Sequence, residues 1–593
     1  MLSLRRLTSF AGLLVVGFLW AADARPACAA RPDAPHLLPD TTLAFVRVAS
    51  VPELIEKFKQ TALGRMFRDE ALNPLVKQLY GSAAEALGKV QDRIGAGLDD
   101  LLAIPQGELC VALVWPKEGQ AAVVALIEAG DRLPVAMKVI ERGEQEMAKQ
   151  GATKSIEAVG ATKLVLNQLP GERARRLAYF QRDGVLVITT DAGVAKGVLA
   201  AWDGGKAPTL ADSSKFSSVM SRCGASGGGD PPQITFFVDP IELIKQNLRG
   251  SAAATFLALL PVLGVDGIQG VGGGVTMNTP DFDSVIHLHL LLDSARNGVL
   301  AMLALSTGDM EPEPWVPSDV TAYRTVYWDF QKSYTALGPV YNGFRGQDAL
   351  ANDVKRNISD PLGVDFEKEF IRALDGRLTW VSWMVKPARL NSQANLVAVK
   401  LKDAKAFQTA FDQVMAKFPN ALQKATFGSA TYYHAPDAMG PRKPQPDSLI
   451  RRPDPCLAIL GDYLMVTDSS EFLHHVIVTQ SGGLPALAGE LDFKLMASRI
   501  RRQPGGDKPG AVMFARPELA LRQMYDLATA EDVRQRLARQ AESNQFFRAV
   551  DGALKKNPLP PFSTLEKYLA PAGGLMTNDE SGLHYMGFAL KRK

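Results

Sequence analysis

LLPDTTLAFVRV (residues 37–48) opens a run of strands and helices that restarts at WVPSDVTAYRTVYWDF (residues 315–330) and proceeds in the same order to the C-terminus. Each opening is an alternating strand followed by a helical region, VPELIEKFKQTALGRMF in the first case and a stretch containing YTALGPVY in the second. Further along, GLDDLLAIPQGELCVALVW (97–115) matches GVDFEKEFIRALDGRLTWVSW (363–383), and Asp99 and Asp365 coincide where an aspartate would cap a helical turn. The strand AAVVALIEA and helix DRLPVAMKVIERGEQEM match ANLVAVKL and KDAKAFQTAFDQVMAKF, each helix carrying one apolar stripe. RLAYFQRDGVLVITTD (176–191) and PCLAILGDYLMVTDSS (455–470) predict hairpins turned at Arg-Asp-Gly and Gly-Asp. Asp191, or Asp468 with the serines after it, is expected to cap the helix that follows. QITFFVDPIELIKQ and AVMFARPELALRQ place Pro240 and Pro517 where a strand gives way to a helix, and both copies close on glycine-rich strand pairs.

Strands clustered in hairpins, with helices between only some of them, predict an α+β chain of two tandem pseudo-equivalent domains, each a largely antiparallel sheet with helices packed on one face. The expected boundaries are 31–305 and 320–593, joined by the proline-rich acidic linker STGDMEPEPWVPSD (306–319). The apolar stretch SAAATFLALLPVLGV (251–265) is short, holds Pro261, and is expected to be a buried helix. No later segment suits a membrane span.

Residues 1–30 differ in kind. Arg5 and Arg6 precede the apolar run LTSFAGLLVVGFLWAA and the small-residue stretch ADARPACAA, the order of a secretory signal peptide. The alternative is an uncleaved N-terminal anchor, against which stands an apolar run short of the about 20 residues of a bilayer span. Arg25 occupies a position that lipidation at Cys28 would need apolar. Cleavage after Ala30 lowers the formal charge from +3 to about +1 and leaves no field suited to nucleic acid. Cys110, Cys223 and Cys456 remain. Cys110 and Cys456 lie in apolar runs, so packing rather than a disulfide framework must hold the chain together.

The opening after the signal peptide, the stretch FKQTALGRMFRDEALNPLV, the GLDDLLAIPQGEL segment and the WVPSDVTAY restart together resemble a family of secreted bacterial proteins with a duplicated domain of unknown function (DUF3352-like). The resemblance spans essentially the whole mature chain. It implies an extracytoplasmic α+β protein and carries over no functional residue.

The chain has no G-x-S-x-G elbow, no G-x-x-x-x-G-K-[ST] phosphate loop and no H-E-x-x-H helix. GVGGGV (270–275) leads into a strand where a dinucleotide loop needs a helix, so a glycine-rich sheet edge is expected. His287 and His289 flank Leu288, and strand alternation puts both imidazoles on one face. Two ligands make no metal site, and only His287 has a counterpart, His584, in the second copy. His474 and His475 are expected on an exposed helix face, and His434 opposite an apolar position. No catalytic set, cofactor or metal is assigned.

Two insertions break the symmetry. HAPDAMGPRKPQPDSLIRRPDP (434–455) clusters Arg442, Lys443, Arg451 and Arg452 in a loop that suits an anionic envelope polymer or a partner protein. EDVRQRLARQAESNQFFRAV (531–550) suits an amphipathic helix packed on its own domain. SRCGASGGGDPP (221–232) suits a flexible connection.

The expected function is a non-enzymatic extracytoplasmic binding or structural protein of the bacterial envelope. Two alternatives stand beside it. One is a carrier of apolar ligands in a cavity lined by Phe236, Phe237, Trp380 and Trp383. The other is a secreted hydrolase with a site between the two domains, since paired carboxylates need no sequence motif.

Overall fold

The computed structural model describes residues 31–82, 96–117, 119–171, 176–224, 230–250, 252–435 and 450–592. Residues 1–30, read above as a signal peptide, Arg442, Lys443 and most of the Gly-rich connection lie outside the described residues. The chain forms two compact units, Met1–Arg249 with Gln269–Leu291 and Leu537–Tyr568, and Gly250–Ile268 with Leu292–Arg536 and Leu569–Lys593.

The fold class is α+β. The first unit holds β1 (Thr42–Val48), β2 (Leu109–Val114), β3 (Ala122–Glu128), β4 (Thr153–Val159), β5 (Thr162–Gln168), β6 (Arg176–Arg182), β7 (Val185–Thr189), β8 (Ile234–Val238), β9 (Ile268–Met277) and β10 (Phe282–Leu292). Their spatial order is β4-β5-β6-β7-β3-β2-β1-β8-β9-β10, antiparallel from β4 through β9.

The second unit holds β11 (Ala322–Tyr327), β12 (Leu374–Met384), β13 (Gln393–Leu401), β14 (Gln423–Phe427), β15 (Ala430–His434), β16 (Cys456–Leu460), β17 (Tyr463–Thr467), β18 (Ala511–Ala515), β19 (Ala572–Asp579) and β20 (Gly582–Leu590). Here the order is β14-β15-β16-β17-β13-β12-β11-β18-β19-β20, antiparallel throughout. The two orders are the same, strand for strand.

Register makes the correspondence residue-specific. Ala44 faces Leu113 and Val238, as Ala322 faces Ser382 and Ala515. Just before β1 and β11, Leu38 and Val316 accept backbone bonds from Leu210 and Leu487. In both units a phenylalanine near the start of a helix, Phe216 in Ser214–Cys223 and Phe493 in Leu491–Arg501, stands edge-on to two aromatics of the sheet. Phe216 meets Phe45 and Phe237, each at 5.6 Å, and Phe493 meets Tyr323 at 6.0 Å and Phe514 at 5.4 Å. Glycine on the next strand admits the same helix. A Cβ on Gly272 would stand 2.6 Å from Val219 Cγ1, and one on Gly573 would stand 2.4 Å from Met496 Cγ. This accounts for the glycine-rich closing strands.

Helices Ala192–Trp202 and Ser214–Cys223 pack on the main core face of the first sheet. Helix Leu133–Lys149 lies against Tyr179, Leu186 and Ile188 on the other face, near the β6–β7 end. Pro240 and Pro517 open their helices as expected, and Asp191 caps its helix through Val194 N. In the matching place Ser469 caps through Phe472 N, while Asp468 instead accepts from Asn395 N.

Five expectations change. Asp365 caps through Lys368 N, but Gly97 is the cap beside Asp99, whose carboxylate accepts from the Tyr80 hydroxyl. Residues 252–263 form a 3-10 turn and a short helix with no buried residue, leaving Phe256 and Val262 exposed. An unbroken apolar run marks no buried face, and Gly264 ends the helix at positive φ. The segment 306–319 is no free linker. Trp315 and Val316 are buried in the second unit, and Pro317 bridges Ala486, because the segment repeats the role of residues 31–39. The helix expected over 531–550 is two, Glu531–Ala541 and Gln545–Lys556. Residues 537–568 belong to the first unit, where Tyr568 and Lys567 engage Asp69 at 2.6 and 2.7 Å.

Each unit also holds a polar network at the start of its second strand, with the charges exchanged. In the first, Glu108 receives Arg31 at 2.7 Å and Arg47, and Glu128 receives Arg31 at 3.0 Å. In the second, Arg377 replaces Glu108 and pairs with Glu313 at 2.9 Å and Asp309 at 3.4 Å, while Lys400 replaces Glu128 and pairs with Asp375 at 3.5 Å. Glu313 is buried and also accepts from Tyr323 at 3.1 Å and Thr379. Cys110, Cys223 and Cys456 are buried thiols outside any disulfide among the described residues, and burial pushes Cys223 up to about 12. Among the described residues no helix is long and apolar enough to cross a membrane.

Arg377→Ala strands Glu313 in the interior and is expected to cost about 3–5 kcal/mol of unfolding free energy, measured by urea denaturation. Asp69 is held at about 2, below 3.8, by the hydrogen bonds from Lys567, Tyr568 and the Ala71 amide. A depressed carboxyl contributes stability above its unfolded pKa and loses it as pH falls through the folded one. Melting temperatures between pH 4 and pH 2 should therefore fall less steeply in Asp69→Asn, which should also melt lower than the parent at pH 7.

Candidate binding site

The polar residues singled out in the sequence do not form one site. His287 and His289 are buried on β10 with alternation as expected, and His584 is half-buried on β20. Among the described residues no group of three side chains suits a metal ion. Arg451 is buried rather than displayed on a loop. Its guanidinium donates to Asp468 O at 2.8 Å, Asp468 Oδ2 at 2.9 Å and Asn391 O at 3.3 Å, so it ties the loop end to the sheet. Arg452, beside it, is half-buried. The four aromatics do not share a cavity wall in either unit: Phe236 and Phe237 alternate across one sheet, with Phe237 in the core, and Trp380 is exposed on the face opposite Trp383.

Three histidines have partners that their sequence positions did not signal. His434 Nδ1 lies 3.1 Å from Asp454 Oδ1, and Ser470 Oγ donates to the other oxygen of that carboxylate. His474 stacks on Phe427 at 3.9 Å and meets the Tyr432 hydroxyl at 3.0 Å. Burial and nearby His434 hold the His474 imidazole below its ordinary value. His475 meets Asp319 at 2.9 Å, so the helix face expected to be solvated is engaged.

What both units do share is a cleft. It lies where the chain enters the first strand, beside the far end of the second strand and the proline-started helix. In the first unit it measures about 410 Å³ and is lined at Thr41, Leu43, Trp115, Glu242 and Gln246. In the second it measures about 700 Å³ and is lined at the corresponding Asp319, Thr321, Met384, Leu519 and Gln523. Only the glutamine, six residues past the proline in each helix, is the same residue in both. The other four positions differ in residue type, so residue identity between the two units carries no sign of the cleft.

Paired charges buttress both clefts, again with exchanged polarity. Lys215 meets Asp239 at 2.6 Å in the first unit, and in the second Asp492 receives Arg516 at 2.6 and 2.9 Å from the matching positions. Asp40, Asp212, Asp239 and Glu242 line the first cleft against Lys215, and Asp319, Glu471 and Asp526 line the second against Lys386 and Arg522. Acid groups therefore outnumber bases at both.

In the second cleft the indole of Trp383 is fixed on several sides. Its Nε1 donates to Asp319 Oδ2 at 2.9 Å, and its ring stacks on Phe472 at 5.4 Å and His475 at 5.0 Å. Asp319 thus holds both the indole and the imidazole. Gln523 donates to Arg389 O at 3.0 Å, and Arg522 pairs with Asp526 at 3.0 Å. Such an arrangement can accept a ligand that presents both hydrogen-bonding groups and a flat apolar face.

No protein-family model, curated protein or solved structure matches this chain.

Glu518, in the first turn of the helix that lines the second cleft, has its carboxyl raised above 4.5 by burial. Because the folded value lies above the unfolded one, deprotonation costs stability as pH rises through the two. Glu518→Gln is expected to melt higher than the parent at pH 7 and to lose this contribution to the pH dependence, measured by differential scanning calorimetry.

Proposed function

We propose that this chain is a non-enzymatic binding protein of the bacterial envelope, acting outside the cytoplasm and built by duplication of one α+β unit, with a ligand cleft in each copy. The reading rests chiefly on the coincidence of the two clefts: five lining positions correspond through register and helix start, although four of the five residue types differ. A cleft held at the same place in both units with an altered lining suits two related ligands or two parts of one. The compartment rests on the charged, apolar and small-residue order of residues 1–30.

The acid-lined clefts suit ligands that donate hydrogen bonds. An anionic envelope polymer would meet carboxylates there, and Arg451, one of the four residues offered for it by the sequence, is engaged with Asp468. The strongly paired acids Glu108 and Glu313 act as structural ion pairs, which fits a binding or scaffolding role.

The test is affinity capture of envelope extract by the full mature chain, followed by mass spectrometry and calorimetry with the captured ligand. Two binding events are expected, with Gln246→Leu weakening one and Gln523→Leu the other by about fivefold to tenfold, the worth of one hydrogen bond to a ligand. Ligand binding indifferent to both substitutions, or chemical turnover of the captured ligand, would overturn the reading. For the compartment, an alkaline phosphatase fusion to residues 1–30 should be active outside the cytoplasm and inactive if the segment directs no export.

A further inference from the structure

The geometry points to the second cleft as a saccharide subsite in which Trp383 is the stacking platform; this rests on the binding reading above and specifies its ligand class. Phe472 and His475 stand one turn apart on the helix Ser470–Gln480, and both stack on the same indole at interplanar angles of 13° and 27°. One helix therefore holds the indole through two rings, and Trp383 also lines the cleft. Asp319 fixes the ring in its plane through Nε1. A rigid aromatic in the cleft wall suits the apolar C–H face of a sugar ring, because little side-chain freedom is lost on stacking.

The surrounding polar groups are of both kinds. Glu471 and Lys386 line the same cleft, and neither has a side-chain hydrogen bond or ion pair among the described residues. A carboxylate and an ammonium facing one space match hydroxyl groups, each of which donates and accepts. A purely anionic ligand would meet Glu471, Asp319 and Asp526, and a purely apolar one would leave Glu471 and Lys386 unsatisfied on desolvation. A simple cation would be drawn to the acids and the indole but repelled by Lys386 and Arg522. At about 700 Å³ the cleft falls within the ordinary range for small-molecule sites, about 300–1,000 Å³, and is larger than the about 410 Å³ of its counterpart. In that counterpart Val114 takes the place of Trp383, and the tryptophan stands one residue later, at Trp115.

The experiment is isothermal titration of the full mature chain with chitotetraose, cellotetraose and maltotetraose, and with trilysine as a cationic probe. At least one tetrasaccharide should bind, and Trp383→Ala should weaken it by about tenfold, the order expected of one aromatic stack. Trp383→Phe keeps a ring against Phe472 and His475 and should fall between the parent and the alanine variant, which separates a lost platform from a collapsed fold. Trp380→Ala, on the opposite face of the same sheet, should leave this binding unchanged. The inference is overturned if none of the three saccharides binds, if saccharide binding ignores Trp383→Ala, or if trilysine alone binds in a Trp383-dependent way. In each case capture of another envelope ligand that still responds to Gln523→Leu would leave the broader binding reading standing. Loss of that response as well would remove both.

Discussion

The edge-on insertion of one helix phenylalanine between two sheet aromatics is the contact on which each unit depends. Phe216 between Phe45 and Phe237, and Phe493 between Tyr323 and Phe514, join three elements that are remote in sequence: the first strand, a late helix and the strand that follows it. Such pairs contribute about 0.5–1.5 kcal/mol each beyond the burial of their area. Their geometric effect is larger than that figure suggests. They fix the distance of the helix from the sheet, and only glycine at Gly272 and Gly573 allows that distance.

Once the helix is seated, the ends of neighbouring elements are set as well. The proline-started helix must leave the sheet beside the entry of the first strand, because Asp239 and Arg516 donate their backbone N–H to Leu43 and Thr321. The space left between that helix and the end of the second strand is the cleft. It is a consequence of packing in both units, and its lining is correspondingly free to change. Thr41 corresponds to Asp319 and Glu242 to Leu519, and the fold is indifferent to the exchange.

Electrostatics tolerates a stronger change. Glu108 corresponds to Arg377, Glu128 to Lys400 and Lys215 to Asp492, and each is met by an opposite charge from a matching or nearby position. A pair reversed as a whole keeps its attraction, whereas a single reversal would strand a charge in a poorly solvated place. Pairs are thus retained while identities are lost. Residue identity between Glu108 and Arg377 is therefore no guide to the pair that each unit keeps there.

Local chemistry and periodicity in the sequence determined the α+β class, the hairpins turned at Asp183-Gly184 and Gly461-Asp462, and the helix starts at Pro240 and Pro517. These are short-range preferences of backbone torsion and alternating burial, written in neighbouring residues. Only the tertiary structure decided that residues 537–568 join the first unit, that 306–319 is part of a core, and that 252–263 lies on the surface, since each depends on partners far along the chain. The candidate site was less legible. Trp383 was visible as a strand aromatic, but Asp319 and His475 around it come from a strand entry and a helix 156 residues apart, and no local pattern links a carboxylate, an imidazole and an indole over that distance.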